Sequence, residues 1–92
     1  MRIFVTPTFE RTVKRLHEQQ KAAFGEAVRT LVSQTEVGEA KVGDLSGVRV
    51  YEFRMGSLLC LLAYRALDES TIKLLMVGPH ENFNRELKRL NS

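Results

Sequence analysis

The sequence predicts an α+β domain, an antiparallel sheet packed against an N-terminal helical hairpin, in the order β-α-α-β-β-β-α. Three observations predict it. Between Val48 and Phe83, three apolar-rich segments are separated by Met55-Gly56-Ser57 and Asp68-Glu69-Ser70, the punctuation of an antiparallel meander. The middle segment, Leu58-Leu59-Cys60-Leu61-Leu62-Ala63-Tyr64, is apolar on both alternating faces, so it reads as a central strand that needs cover on both sides. Upstream, apolar residues recur at helical spacing over two consecutive runs, which supplies cover.

Taken in order, Ile3-Phe4-Val5 is a short β-rich run stopped by Thr6-Pro7, where threonine caps a helix and proline sits in its first turn. An edge strand therefore leads into a helix. Phe9, Val13 and Leu16 recur at i, i+4 and i+7, with Glu10, Arg11, Lys14 and Arg15 on the other side. A second helical run from about Gln19 to Ser33 carries Ala23, Phe24, Ala27, Val28, Leu31 and Val32, and the polar junction His17-Glu18-Gln19-Gln20 makes the pair a helical hairpin. Gln34 to Gly47 has Gly38, Gly43 and Gly47 among charges and no sustained period, so it reads as a connecting loop with Val42 and Leu45 turned inward. From Val48 to Met55, one face holds Val48, Val50, Glu52 and Arg54; the other, more apolar, holds Arg49, Tyr51, Phe53 and Met55 and is expected to meet the helices. Thr71 to Val77 is the last strand. After Gly78-Pro79, a terminal helix is expected from Glu81 to Leu90, with Phe83, Leu87 and Leu90 on one face and an acidic start and basic end that suit the helix dipole.

At 92 residues the chain is expected to form one domain over 1–92, because two cores would each be too small to bury enough surface. A composition 43% hydrophobic and 27% charged excludes a disordered chain. The formal charge of +3 gives a modest preference for polyanions without choosing among them. The single cysteine, Cys60, sits in the most apolar strand, so no internal disulfide is possible and a buried, inert thiol fits a reducing cytoplasm. No apolar run approaches the ~20 residues that span a bilayer, and no signal sequence is visible, so a cytoplasmic protein without a membrane partner is expected. Two histidines and one cysteine are spread too far apart for a recognisable ligand spacing, so neither metal nor cofactor is expected.

Three local patterns add to this order. They are the basic strand Gly47-Val48-Arg49-Val50-Tyr51-Glu52-Phe53-Arg54, the segment Leu61-Leu62-Ala63-Tyr64-Arg65, and the ending Gly78-Pro79-His80-Glu81-Asn82-Phe83. Over nearly its whole length the chain resembles the RelE/ParE superfamily of bacterial type II toxins, in its ParE-like and YafQ-like branches. The second pattern is similar to the LLxYK/R strand of these toxins, and the third to the Gly-Thr-His and G-x-H-E-N-F endings. The resemblance implies a growth-inhibiting toxin neutralised by a cognate antitoxin. It also implies one of two actions: cleavage of mRNA on the ribosome, as in RelE-like members, or inhibition of DNA gyrase without chemistry, as in ParE-like members. The chain departs from the YafQ-like pattern at Met76-Val77, where those toxins carry an arginine, and it lacks their additional histidines.

Metal-independent RNA cleavage needs the ribose 2′-hydroxyl deprotonated, the leaving 5′-oxygen protonated and the phosphorane's charge stabilised. His80 is the candidate acid or base, because imidazole titrates near neutrality, and the matching histidine of YafQ-like relatives is catalytic; a helix cap is its plainer role. Glu81 is a candidate partner or base, with a dipole role as the alternative. Arg54 and Arg65 are candidates for the phosphate, and Arg49, at a position where relatives carry a basic residue, is a further substrate contact. Alternation puts Arg49 and Arg54 on opposite faces. Phe83 is a candidate for base stacking, against a core role set by its spacing to Leu87 and Leu90. Lys41 and Arg85 complete the candidate binding set, with solvated side chains as the plain reading, and Tyr51 and Tyr64 read as half-buried strand residues.

Overall fold

Thr6 starts the first helix as expected: its Oγ1 accepts from the Phe9 amide at 3.1 Å and donates to the Leu75 carbonyl at 2.7 Å, with Pro7 in the first turn. The computed structural model describes residues 1–91. In order they form β1 (Arg2–Val5), α1 (Pro7–Lys14), α2 (Glu18–Ser33), β2 (Glu39–Ala40), a 3-10 turn (Gly43–Leu45), β3 (Arg49–Met55), β4 (Leu58–Asp68), β5 (Thr71–Pro79) and α3 (Phe83–Asn91). The fold is α+β, and its five strands make one sheet in the order β1-β5-β4-β3-β2.

The expected meander is β3-β4-β5, antiparallel throughout, with Phe53 opposite Cys60 and Leu62 opposite Val77. Gly56 takes φ +63 in the β3–β4 turn, a conformation that costs a side chain steric strain. The first strand departs from an all-antiparallel sheet: β1 lies parallel to β5, with Ile3 beside Ile72 and Val5 beside Leu74. Parallel neighbours need a long connection, and the helical hairpin begins that crossover. The segment 34–47 is more ordered than the expected loop, since Glu39 and Ala40 pair with Val50 and Arg49. Leu45 is buried there as expected, whereas Val42 is 85% exposed because it precedes the 3-10 turn with nothing packed over it.

Cross-strand neighbours share a face, so the register divides the core in two. On the hairpin face, Phe9, Ala27 and Leu31 pack on Met55, Cys60, Leu62, Tyr64, Ile72, Leu74 and Val77, flanked by Tyr51 and Phe53. On the opposite face, Phe83 and Leu87 of α3, with Leu45 and Val48, pack on Val50, Ala63, Leu75 and Met76. β4 is thus covered on both sides at Leu62, Ala63 and Tyr64, each 0% exposed, as its sequence predicts. Near its start, however, Leu58 is exposed and Leu59 and Leu61 are only half-buried. α3 covers half of its face and leaves the rest open.

The terminal helix begins two residues later than its acidic start suggests. Asn82 takes φ +59, a left-handed conformation that asparagine tolerates, and the Phe83 amide reaches the His80 carbonyl at 3.4 Å. His80, Glu81 and Asn82 therefore form a turn, and Glu81 lies outside the helix.

Candidate functional site

The uncovered half of the α3 face is a groove of about 530 Å³, walled by Glu39 and Lys41 on one side and Asn84 on the other, with Val50, Glu52 and Leu61 among its lining residues. Register explains its floor. Glu52, Leu61 and Gly78 form one row across β3, β4 and β5, and a Cβ built on Gly78 would meet nothing within 4 Å. The next row outward is Arg54 opposite Leu59, whose carbonyl accepts from the His80 amide at 3.2 Å. Arg54 and His80 thus occupy the two sides of the row beside the groove floor, and both are exposed.

The structure brings only part of the expected set together. Arg54 shares a row with His80, with Leu59 of β4 between them, and donates from Nη1 to the Ser57 carbonyl at 3.2 Å, across its own hairpin turn. Arg65 does not join them. It lies six residues further along β4 from Leu59, roughly 20 Å away at ~3.3 Å per residue, where it pairs with Lys73 and donates to the Ser46 carbonyl at 3.3 Å. Arg49 faces the hairpin side, away from the groove, and its Nη1 donates to the Glu36 and Gly38 carbonyls at 3.1 and 2.8 Å, which ties it to the preceding loop. Phe83 is 1% exposed among Leu45, Val48 and Leu87 and offers no face to a base. Lys41 does line the groove, 3.3 Å from the Glu39 carboxylate. Glu81 is exposed in the turn beside His80, and Arg85 is exposed on α3. Tyr64 is fully rather than half buried.

Three groove residues with charged or amide side chains, Glu52, Glu39 and Asn84, were missed by sequence reasoning. Glu52 had a legible signal, a charge in mid-strand on the face it shares with Val48 and Val50. Glu39 and Asn84 had none, because neither periodicity nor composition says that the loop and the first turn of α3 face each other. Chemically the groove offers two carboxylates, an ammonium and an amide, with imidazole and guanidinium at its rim. Among the described residues, no group of His, Cys, Asp or Glu could hold a metal ion, and no helix is long and apolar enough to cross a membrane. Cys60 is buried and its thiol pKa is raised by desolvation, with a backbone hydrogen bond at Met55 opposing in part.

A family model described as the ParE-like toxin of type II bacterial toxin-antitoxin systems matches residues 3–88. The chain belongs to this family. Among solved structures, this ParE-like toxin is similar to a chain of the intact Escherichia coli RelBE toxin-antitoxin complex, with a TM-score of 0.71 and 14% identity over 87% of this chain and 96% of that one. It is also similar to the isolated E. coli RelE toxin, with a TM-score of 0.68 and 13% identity over 97% of each chain. At such identities the likeness is one of fold. No curated protein matches the sequence. The toxin's place in the RelE/ParE superfamily, expected from its three local patterns, is thereby shown.

Proposed function

We propose that this ParE-like toxin is a metal-independent endoribonuclease that cleaves mRNA on the ribosome and is held in check by a cognate antitoxin. The observation that carries the reading is the adjacent pair of rows on the open face: His80 and Arg54 at the rim, Glu52 in the floor. In this reaction the ribose 2′-oxygen attacks phosphorus while the bond to the 5′-oxygen breaks, leaving a 2′,3′-cyclic phosphate and a 5′-hydroxyl. Glu52 takes the 2′-proton, since Glu39 is engaged by Lys41, and His80 gives a proton to the leaving oxygen. Arg54 pairs with the phosphoryl oxygens, whose charge grows in the transition state. The likeness to the RelE fold supports this choice of chemistry, and the RelBE complex supports the antitoxin.

The test is expression without antitoxin, wild type beside His80→Ala, with mRNA 5′ ends mapped within minutes and gyrase supercoiling assayed on purified protein. New ribosome-phased cuts that vanish in the variant are expected. The ParE-like family match favours a second reading, inhibition of DNA gyrase by binding alone. Blocked supercoiling with intact mRNA would select that reading and remove every catalytic role above.

A further inference from the structure

The groove wall is the two-residue strand Glu39–Ala40 with Lys41 just after it, too short to fix its own position by pairing. Its sheet contacts are the Glu39–Val50 and Ala40–Arg49 pairs and the Lys41 amide on the Val48 carbonyl at 2.9 Å. What holds the residues just before it comes from the middle of the sheet. The Tyr64 hydroxyl donates to the Thr35 carbonyl at 2.7 Å and accepts from the Gly38 amide at 2.9 Å. Arg49, the register partner of Tyr64 on β3, donates to the Glu36 and Gly38 carbonyls. Four hydrogen bonds from two neighbouring side chains thus grip Thr35–Gly38, the four residues immediately before the wall.

The fit is close. A Cβ on Gly38 would lie 2.8 Å from both Cε1 and the hydroxyl of Tyr64 and 3.1 Å from the Val50 carbonyl carbon, so only glycine lets the chain pass. Burial raises the phenol's pKa, with the Gly38 hydrogen bond and Arg49 opposing in part, which keeps the hydroxyl protonated and able to donate. The latch works from the hairpin face, whereas the wall it fixes borders the groove on the opposite face. Tyr64 and Arg49 therefore act on the groove without touching what binds there.

We propose that Tyr64, assisted by Arg49, is a positioning residue that latches the Glu39–Lys41 wall, so that toxin action depends on a hydroxyl buried on the far side of the sheet. This rests on the groove being the toxin's working site, whichever chemistry it performs.

The experiment compares the full chain with Tyr64→Phe, which keeps the ring and removes the hydroxyl, and with Gly38→Ala, which displaces the same turn by crowding. Ile72→Val trims the same core without touching the latch. Amide hydrogen exchange and growth arrest at matched levels of folded protein are measured for each. Both latch variants should exchange the amides of residues 38–41 at least tenfold faster and arrest growth several-fold less, with β4 and β5 amides unchanged. Ile72→Val should alter neither reading. Unchanged exchange at 38–41 in Tyr64→Phe overturns the latch, and faster exchange with full toxicity overturns its role in positioning. His80→Ala in parallel keeps the questions apart: if it arrests growth normally while the latch variants do not, the nuclease reading fails and the latch stands.

Discussion

The two faces of the sheet are built from similar material and end differently. On the hairpin face, two helices supply Phe9, Ala27 and Leu31 to a continuous apolar layer from Met55 to Ile72, with the Phe9 and Phe24 rings 5.5 Å apart. On the other face, the single helix α3 supplies Phe83 and Leu87, enough for Val50, Ala63, Leu75 and Met76 but not for the rows of Glu52 and Arg54. The candidate site arises from this unequal cover. It is the part of the sheet that no helix among the described residues covers, and its charged residues stand where a core would otherwise be.

The largest effect should come from unseating that single cover. Phe83→Ala should cost about 3–5 kcal/mol, the usual range for emptying a buried aromatic site, and Leu31→Ala on the hairpin face about 2–5 kcal/mol, both read from denaturant melts. Only Phe83→Ala should also disturb the groove, because α3 carries Asn84 and follows the His80 turn directly. Equal groove disturbance by both variants would break the contrast between the faces.

Thr6→Ala comes next. It removes a cap and leaves the Leu75 carbonyl without its donor, and should cost about 1–2 kcal/mol in the same melts.

Alkaline pH probes the hairpin-face core and the latch without mutation. Desolvation raises Cys60 above its ordinary 9.0 and Tyr64 above its ordinary 10.0, so each binds its proton more tightly folded than unfolded. Their contribution is complete below the unfolded values and is lost as pH rises through the folded ones. Stability should therefore decline from about pH 9 upward. Tyr64→Phe should flatten the part of that decline above pH 10.

The smallest effect on stability, and the sharpest on function, should come from the exposed rim. Arg54→Ala should move the melting midpoint by less than about 0.5 kcal/mol, as surface substitutions usually do, yet lower mRNA cleavage at least tenfold. Arg65→Ala, roughly 20 Å along β4 at ~3.3 Å per residue, should leave cleavage within about twofold at equal folded protein. Comparable losses from both would place the reacting phosphate elsewhere.

Much of this was legible without coordinates. The helix start at Thr6-Pro7, the hairpin of amphipathic helices, the three-stranded meander and the doubly buried β4 all follow from spacing, caps and turn residues, which act within a few positions along the chain. Alternation also separated Arg49 from Arg54 correctly. What misled was contact between distant segments. Arg65 shares a strand with Leu59, and a strand is long enough to hold two unrelated environments. Arg49 was spent on carbonyls of a loop eleven to thirteen residues away, and Glu39 reached the groove only because that loop forms an edge strand.

Residues near one another in the chain were enough for the two N-terminal helices and the three-stranded meander with its turns, because hydrophobic periodicity and capping are local, and the three local patterns pointed to the superfamily that the family model shows. Tertiary structure alone decided that β1 runs parallel to β5, that α3 stops short of covering its face, and that His80, Arg54 and Glu52 lie in neighbouring rows. Those outcomes depend on register and on how far one helix reaches across a twisted sheet, and neither is a property of any short stretch of chain.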